Sequence, residues 1–588
     1  MHRLRIPVQV APLGSLLAVA CALPLAILFV YSFWQLSNFV IVHDWTLANY
    51  RAGLLDGYYL RLFARSLGTG AAVGAIAVIL AYPFAYAARF RFTRWRNALL
   101  FAVLLSMFAS YLVRVYAFQS ILGRTGVINW FLQEIGIVDQ PLDFLLFNRF
   151  AVIVTLTNVF LPFVLLPIWA AMQNVDPASI EAARDLGARP WTVFWKVVVP
   201  ATRKAALAGF AFAFVLASGD YVTPTLVGGT DGLMIGKPIA NSFGLTNNYP
   251  LGSALAFTML LLFALVVFVV PRLLRRPLRV LGSVWKEHRP AVGPRWAVRI
   301  PGARLWPYAL VPGVLAFLFA PLVIVVVLSF TTRDVPAFPM DGVTLRWYDN
   351  VLGDELFSSA LTNSIKLAVF TGVAAAVLGT LAAIGLTRRE FALKPAVEAF
   401  LLVPIALPGL ITGVAMLTLY TWAQIPLSML TIAVGHLVFA TPFVVLVMMA
   451  RLRDVDPLLA EAGRDLGATP LGVFRRVTLP LIAPAIAGGA LVAAALSLDE
   501  FIITNFVSGS NVTLPLFIWS KLRIGVTPDV NAVSTLILLS LAVLVLAFFL
   551  LGGSVGRGVS RARSAKASAS SRAASGQPRI DQPRGSQP

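Results

Sequence analysis

The sequence predicts an all-α polytopic membrane protein of two homologous six-helix halves, about 12 transmembrane helices in all. Three observations carry that reading. The chain of 588 residues is 59% hydrophobic and only 12% charged, with a mean hydropathy of +0.83, whereas a globular chain carries roughly 25% charged residues. Its apolar residues come in runs of about 20, the length of a helix that crosses a bilayer. Lipid admits only helices and closed barrels, and continuous rather than alternating runs exclude the barrel. Finally, Asp176–Pro200, DPASIEAARDLGARPWTVFWKVVVP, recurs at Asp456–Pro480 as DPLLAEAGRDLGATPLGVFRRVTLP. The offset is 456 − 176 = 280, and Glu181/Glu461, Gly187/Gly467 and Pro200/Pro480 keep it without a gap. A repeat of this kind divides the chain in two.

Taken in order, the chain opens with Arg3 and Arg5 before an apolar run. Ala18-Val19-Ala20-Cys21 has the look of a cleavage site, but the run continues through Val30, too long for a signal peptide. It is expected as an uncleaved first span. The spans expected in the first half are 11–33, 67–88, 97–121, 150–172, 204–227 and 251–273. Those in the second are 308–330, 361–386, 396–421, 427–450, 484–507 and 531–552. Arg114 falls inside the third, and only a short gap around Gln424 separates the ninth from the tenth.

Orientation follows from the short loops. Arg89, Arg91, Arg94 and Arg96 crowd one loop, and Arg388, Arg389 and Lys394 its counterpart. With six spans per half, these loops, both copies of the repeat and the connector between the halves lie on one side. The bias of Lys and Arg makes that side cytoplasmic, and both termini with it. The formal net charge of +21 is read as this bias, together with a connector (Arg272, Arg275, Arg276, Arg279 and onward) that lies at the anionic inner leaflet. It is not read as a nucleic-acid surface. The expected domains are a first half over 1–275 with its repeated loop at 173–203, a basic cytoplasmic connector over 276–305, a second half over 306–555 with its loop at 451–483, and a disordered tail over 556–588.

Several chemistries are missing. One cysteine, Cys21, allows no internal disulfide, and His2, His43, His288 and His436 have no metal-ligand spacing. Gly232-Leu233-Met234-Ile235-Gly236-Lys237 is not a phosphate-binding loop: its first glycine is one residue out of place and Pro238 stands where Ser or Thr belongs. No nucleophile elbow or hydrolase carboxylate pair stands out. The chain therefore reads as neither an enzyme nor a cofactor protein, and any ATP is bound by separate subunits.

Each repeated loop reads as a short helix, a glycine turn and a second helix. Asp176-Pro177 and Asp456-Pro457 start the first helix, as N-cap and first helical position. Gly187 and Gly467 stop it in the left-handed conformation. Arg189-Pro190 and, better, Thr469-Pro470 start the second helix, which Pro200 and Pro480 are expected to close. Small residues and a compact turn suit docking into a groove of another protein, and the alternative is a surface hairpin that caps the bundle. Two copies in register on one side favour docking, presented twice to a dimer.

These segments resemble the EAA loop of the binding-protein-dependent ABC importer permeases: E-A-A, three residues, Gly, nine residues, then I-x-L-P. Here the pattern is Glu181-Ala182-Ala183, Gly187 and Val197–Pro200, then Glu461-Ala462-Gly463, Gly467 and Val477–Pro480. Gly463 departs from the second Ala, and Val from Ile. The resemblance implies a type I importer permease fold and a coupling helix in each loop that fits a cleft on an ATPase subunit. It also implies two copies of a cytoplasmic ATPase, an extracytoplasmic solute-binding protein, alternating access, and a place in the bacterial inner membrane surrounded by lipid.

Acids stand within the spans: Asp220 in SGDYVTP and Asp499-Glu500 in LSLDEF, with 220 + 280 = 500. Charge there is costly and marks a functional site by default. With Tyr221 and Phe501 they are candidates for a pathway suited to a small cationic substrate. The alternative is that they bond neighbouring helix ends or Ser and Thr hydroxyls. The first half, with SGDYVTPTLVGG and IANSF, is similar to one permease of the spermidine/putrescine importers, and the second, with LSLDEFIITNFVSG, to its partner, so the chain looks like the two fused. Ferric-iron importers also fuse their halves and remain an alternative. An ion-coupled secondary transporter would also have six plus six spans, but the repeated helix-glycine-helix loops argue against it.

Overall fold

A computed structural model describes residues 6–107, 109–269, 306–525 and 527–540. The connector, the tail, the first five residues and the far ends of the sixth and twelfth expected spans lie outside the described residues. Among those described, nine helices are long and apolar enough to cross a membrane, eleven if two sharply bent pairs each count as one span. They are Val8–Tyr31, Gly57–Phe90, Arg149–Gln173, Pro190–Ser218 and Tyr249–Phe268 in the first half, and Pro307–Leu328, Glu355–Arg388, Met429–Asp454 and Pro470–Asp499 in the second. A further helix covers 528–540.

Each half has a three-helix core. In the first, Gly57–Phe90, Arg149–Gln173 and Pro190–Ser218 pack on one another; in the second, Glu355–Arg388, Met429–Asp454 and Pro470–Asp499 do the same. Small residues bring the backbones together, as packing in lipid requires. A Cβ on Gly209 would lie 3.2 Å from Val164, and one on Gly489 3.1 Å from Val444. Both pairs obey the 280 offset, so the repeat extends from the loops into the core.

The first helix of each half packs on the other half. Val10, Leu13, Leu17, Ala20 and Cys21 are buried in one cluster with Ala382, Leu386, Leu401 and Leu437. Reciprocally, Pro307–Leu328 lies against Tyr111–Leu122 and Gly57–Phe90, with Phe118 and Phe317 rings 6.2 Å apart and Asn158 donating to the Phe317 carbonyl. The apolar stripe of each first helix is thus covered by the partner half.

Three expectations are corrected. The third and ninth spans, expected as continuous helices over 97–121 and 396–421, are broken: Arg96–Met107 bends by 92° into the helix starting at Tyr111, and Lys394–Ala406 by 101° into Gly409–Trp422. In the second half the cause is Leu407-Pro408-Gly409, since proline disfavours helix at the residue before it and Leu407 is extended. The fifth and eleventh spans, expected to run to 227 and 507, end at Ser218 and Asp499 and restart as Val222–Val227 and Thr504–Val507. Lastly, Pro200 and Pro480 do not close the second loop helix. That helix runs on into the fifth or eleventh span through a π turn over Phe194–Val198 or Phe474–Thr478. Proline has no N–H for the carbonyl four residues back and its ring would clash with it. The wider turn relieves both, with the Val199 amide donating to Phe194 and the Leu479 amide to Phe474.

Candidate coupling loops and membrane carboxylates

The repeated loops take the shape their residues dictate. Asp176 Oδ1 accepts from the Ala178 amide at 3.0 Å and Asp456 Oδ1 from the Leu458 amide at 2.9 Å. The helices Pro177–Asp185 and Leu458–Asp465 follow. Gly187 at φ +79° and Gly467 at φ +78° stop them. The Gly187 amide bonds the Arg184 carbonyl and the Ala188 amide that of Ala183; Gly467 to Arg464 and Ala468 to Gly463 repeat the pair. This 5→2 and 6→1 pattern is the Schellman stop. Thr469 caps the next helix through the Gly472 amide at 3.1 Å, whereas Arg189 makes no side-chain cap.

Glu181, Ala182, Glu461 and Ala462 are exposed, and Ala183 and Gly463 are half-buried. At Gly463 a Cβ would sit 3.2 Å from Val473, so the departure from alanine spares a tight contact. Leu186 and Leu466, which sequence reasoning passed over, are 89% and 88% exposed. Each is an apolar knob just before the glycine turn of its loop, and the 280 offset between them was the available signal. The loops differ beyond this point: exposed Trp191 and Trp195 stand where the second copy has Leu471 and Arg475.

All three acids are fully engaged at the junction of the halves. Asp220 follows the end of Pro190–Ser218 and caps Val222–Val227, accepting from the amides of Val222 at 3.2 Å and Thr223 at 3.1 Å. Glu500 does the same for Thr504–Val507, accepting from the amides of Ile503 at 3.0 Å and Thr504 at 3.2 Å. Asp499 crosses to the first half and takes the Tyr111 amide on both oxygens, at 2.9 and 3.0 Å. The Tyr111 hydroxyl donates to Asp220 at 2.7 Å and lies 2.9 Å from the Thr223 hydroxyl. Asp220 and Glu500 are 4% and 8% exposed.

Arg114, in the broken third span, serves the opposite helix end. Its guanidinium donates to the carbonyls of Ser106 and Ala109, at the end of Arg96–Met107, and to Val159. These four ionisable groups, Asp499 half-buried and the other three buried, therefore each satisfy backbone groups that a helix break exposes in lipid, where orphaned groups cost several kcal/mol. Tyr221 is buried and accepts from the Asn505 amide group of the second half at 3.1 Å. Phe501 is buried against Trp519, ring centres 5.1 Å apart. His436 lies 2.7 Å from the Ser497 hydroxyl and 2.8 Å from that of Thr504, which donates to Glu500. Among the described residues no cluster of His, Cys, Asp or Glu could hold a metal ion.

Comparison with known proteins agrees with this architecture. The family described as "Binding-protein-dependent transport system inner membrane component" matches twice, over residues 18–279 and 375–561. The chain is 40% identical over 231 residues to the Putrescine transport system permease protein PotI of Escherichia coli strain K12, covering 38% of this chain and 82% of that protein. It is 34% identical over 233 residues to the Spermidine/putrescine transport system permease protein PotC of the same strain, covering 40% and 88%. With PotB of Haemophilus influenzae it shares 33% over 227 residues, covering 39% and 79%. Two matches on one chain, each with its own loop and three-helix core, make it a fused pair of permease halves. The chain is a multi-pass inner-membrane permease of the binding-protein-dependent ABC importers, a family that works with a binding protein and an ATPase.

Proposed function

We propose that this chain is the complete translocation pathway of an ATP-driven importer for polyamines of the putrescine and spermidine type. The observation that carries the ATP-driven part is the paired loop: two exposed Schellman-stopped helices, each with an acid, small residues and a bare leucine. In this reading two ATPase subunits take the Glu181 loop and the Glu461 loop, and one binding protein delivers substrate on the opposite side. The loops and both termini face the cytoplasm. Each loop runs by one continuous helix into the break that holds Asp220 or Asp499 and Glu500, so that a push on the loop reaches the acids directly.

The polyamine part rests on likeness to relatives named for putrescine and spermidine, and on three acids, Asp499 half-buried and the other two buried, against one buried arginine at the junction of the halves. A polycation would complement that excess. Proteoliposomes holding the chain with its ATPase and binding protein should take up labelled putrescine or spermidine only with ATP, and ferric iron not at all. Uptake driven by an ion gradient without ATPase would sink the importer reading; iron uptake without polyamine uptake would sink only the substrate. Asp499→Asn with Glu500→Gln should lower polyamine uptake at least tenfold while the complex still assembles. Both side chains still accept helix-end amides, so unchanged uptake would leave the acids a structural role alone.

A further inference from the structure

Tyr111 holds an unusual place: it is the first residue of Tyr111–Leu122, at the break of the third span, and touches acids from both halves. Its backbone amide is held by both oxygens of Asp499, from the second half, and its hydroxyl by Asp220 in the first. Among the described residues, no side chain at the matching break bonds acids of both halves. There Pro408 lies against Gly219, where a Cβ would come within 2.7 Å of it, and Gly409 faces Ile502, with Glu500 Oε1 at 3.8 Å from the place a Cβ would take. One break is thus packed mainly by apolar contact, while the other is held by hydrogen bonds to two carboxylates, the stronger kind of hydrogen bond.

We propose that Tyr111 is a latch between the halves that masks Asp499 and Asp220 until transport opens the junction. The chemistry follows from the donors. Tyr111 presents one N–H and one O–H at the two ends of its length, and each occupies one acid. A linear diamine also carries a donor at each end. Substrate ammonium groups and Tyr111 therefore compete for the same two carboxylates, and rocking of the halves, by drawing Asp499 off the Tyr111 amide, exposes both together. With the latch closed the acids are satisfied without substrate, so the empty transporter stays shut. This inference rests on the polyamine reading for the identity of the ligand, but not for the latch.

The test uses the full-length chain reconstituted with its ATPase and binding protein in nanodiscs. ATP hydrolysis is measured first without binding protein. Tyr111→Phe removes the hydroxyl and should raise this idle rate about tenfold, the factor that corresponds to about 1.4 kcal/mol. Asp220→Asn, which keeps an acceptor and a good helix cap, should raise it less, about threefold. Tyr116→Phe, a buried tyrosine one turn further along the same helix, should leave it unchanged. An assembled Tyr111→Phe complex that idles at the wild-type rate overturns the latch, as does an equal rise in Tyr116→Phe. If Tyr111→Phe does not assemble, Asp220→Asn decides, a rise supporting the latch and the wild-type rate overturning it. If putrescine-loaded binding protein fails to stimulate the wild type while Tyr111→Phe still idles fast, the polyamine reading falls and the latch stands.

Discussion

At the residue scale, the glycine turns and the caps do the most with the fewest atoms. Gly187 and Gly467 have open space around the position a Cβ would take, so only the left-handed backbone resists substitution. Alanine at either site costs about 1–2 kcal/mol. Local opening of the loop should rise about tenfold or more, read as faster tryptic cleavage at Arg184, or at Arg464 in the second copy; an unchanged rate would contradict the Schellman stop. Outside the membrane, Asp354 caps Glu355–Arg388 through the amides of Leu356 and Phe357 and pairs with Lys521 at 3.1 Å. Burial alone would raise its pKa, but the Lys521 ammonium and the two amides outweigh that and hold the carboxyl below its ordinary value. A depressed folded-state value stabilises above the unfolded pKa of about 4, and that contribution is lost as pH falls through the lower folded value. Asp354→Ala and Asp354→Asn both lose the pairing with Lys521, but Asn keeps the cap to the Leu356 and Phe357 amides, so Ala should cost about 1 kcal/mol more. Thermal unfolding at pH 7 measures the difference, and equal midpoints would deny the cap its part.

At the scale of elements, what the sequence showed and what it hid have separate causes. Helical runs, loop caps and glycine stops were legible because they rest on local chemistry: Asp176-Pro177, Gly187 and Thr469-Pro470 act within a few residues of themselves. The four helix breaks were hidden because hydropathy does not register them. Ala217 to Pro224 is short enough for the apolar residues on either side to carry a span across it, and the hydrogen bonds of Asp220 show that the helix stops there. Likewise Arg114, which falls inside the expected third span, is the cap of a helix end. The partner of Asp499, Tyr111, lies 388 residues away in sequence, and no local pattern joins them. The π turns before Pro200 and Pro480 belong to this scale too. Replacing Pro200 with Ala removes the reason for the wide turn, and its collapse to α-helix would turn the loop relative to Asp220 by about 100°, one residue's rotation. Stimulation of ATP hydrolysis by loaded binding protein should fall several-fold in Pro200→Ala and Pro480→Ala while assembly persists; full stimulation in both would show that the turn does not set the register.

At the scale of the whole molecule, the fusion gathers into one chain what the repeat states twice. Each half lends its first helix to the other, each carries one copy of the repeated loop, and each contributes acids to a junction tied across by Tyr111. The halves are not equal: the first loop has Ala183, Trp191 and Trp195 where the second has Gly463, Leu471 and Arg475. Glycine for alanine in a helix costs about 0.5–1 kcal/mol, so the first loop should bind its ATPase the more tightly. Whether this single chain holds two ATPases through two separate loops is read most simply by native mass spectrometry of the purified complex. Two ATPase subunits per chain are expected, one when either Glu181→Arg or Glu461→Arg is introduced alone, and none when both are present, with ATP-driven uptake lost in the double variant. Two ATPases retained on the double variant, with normal uptake, would contradict that expectation.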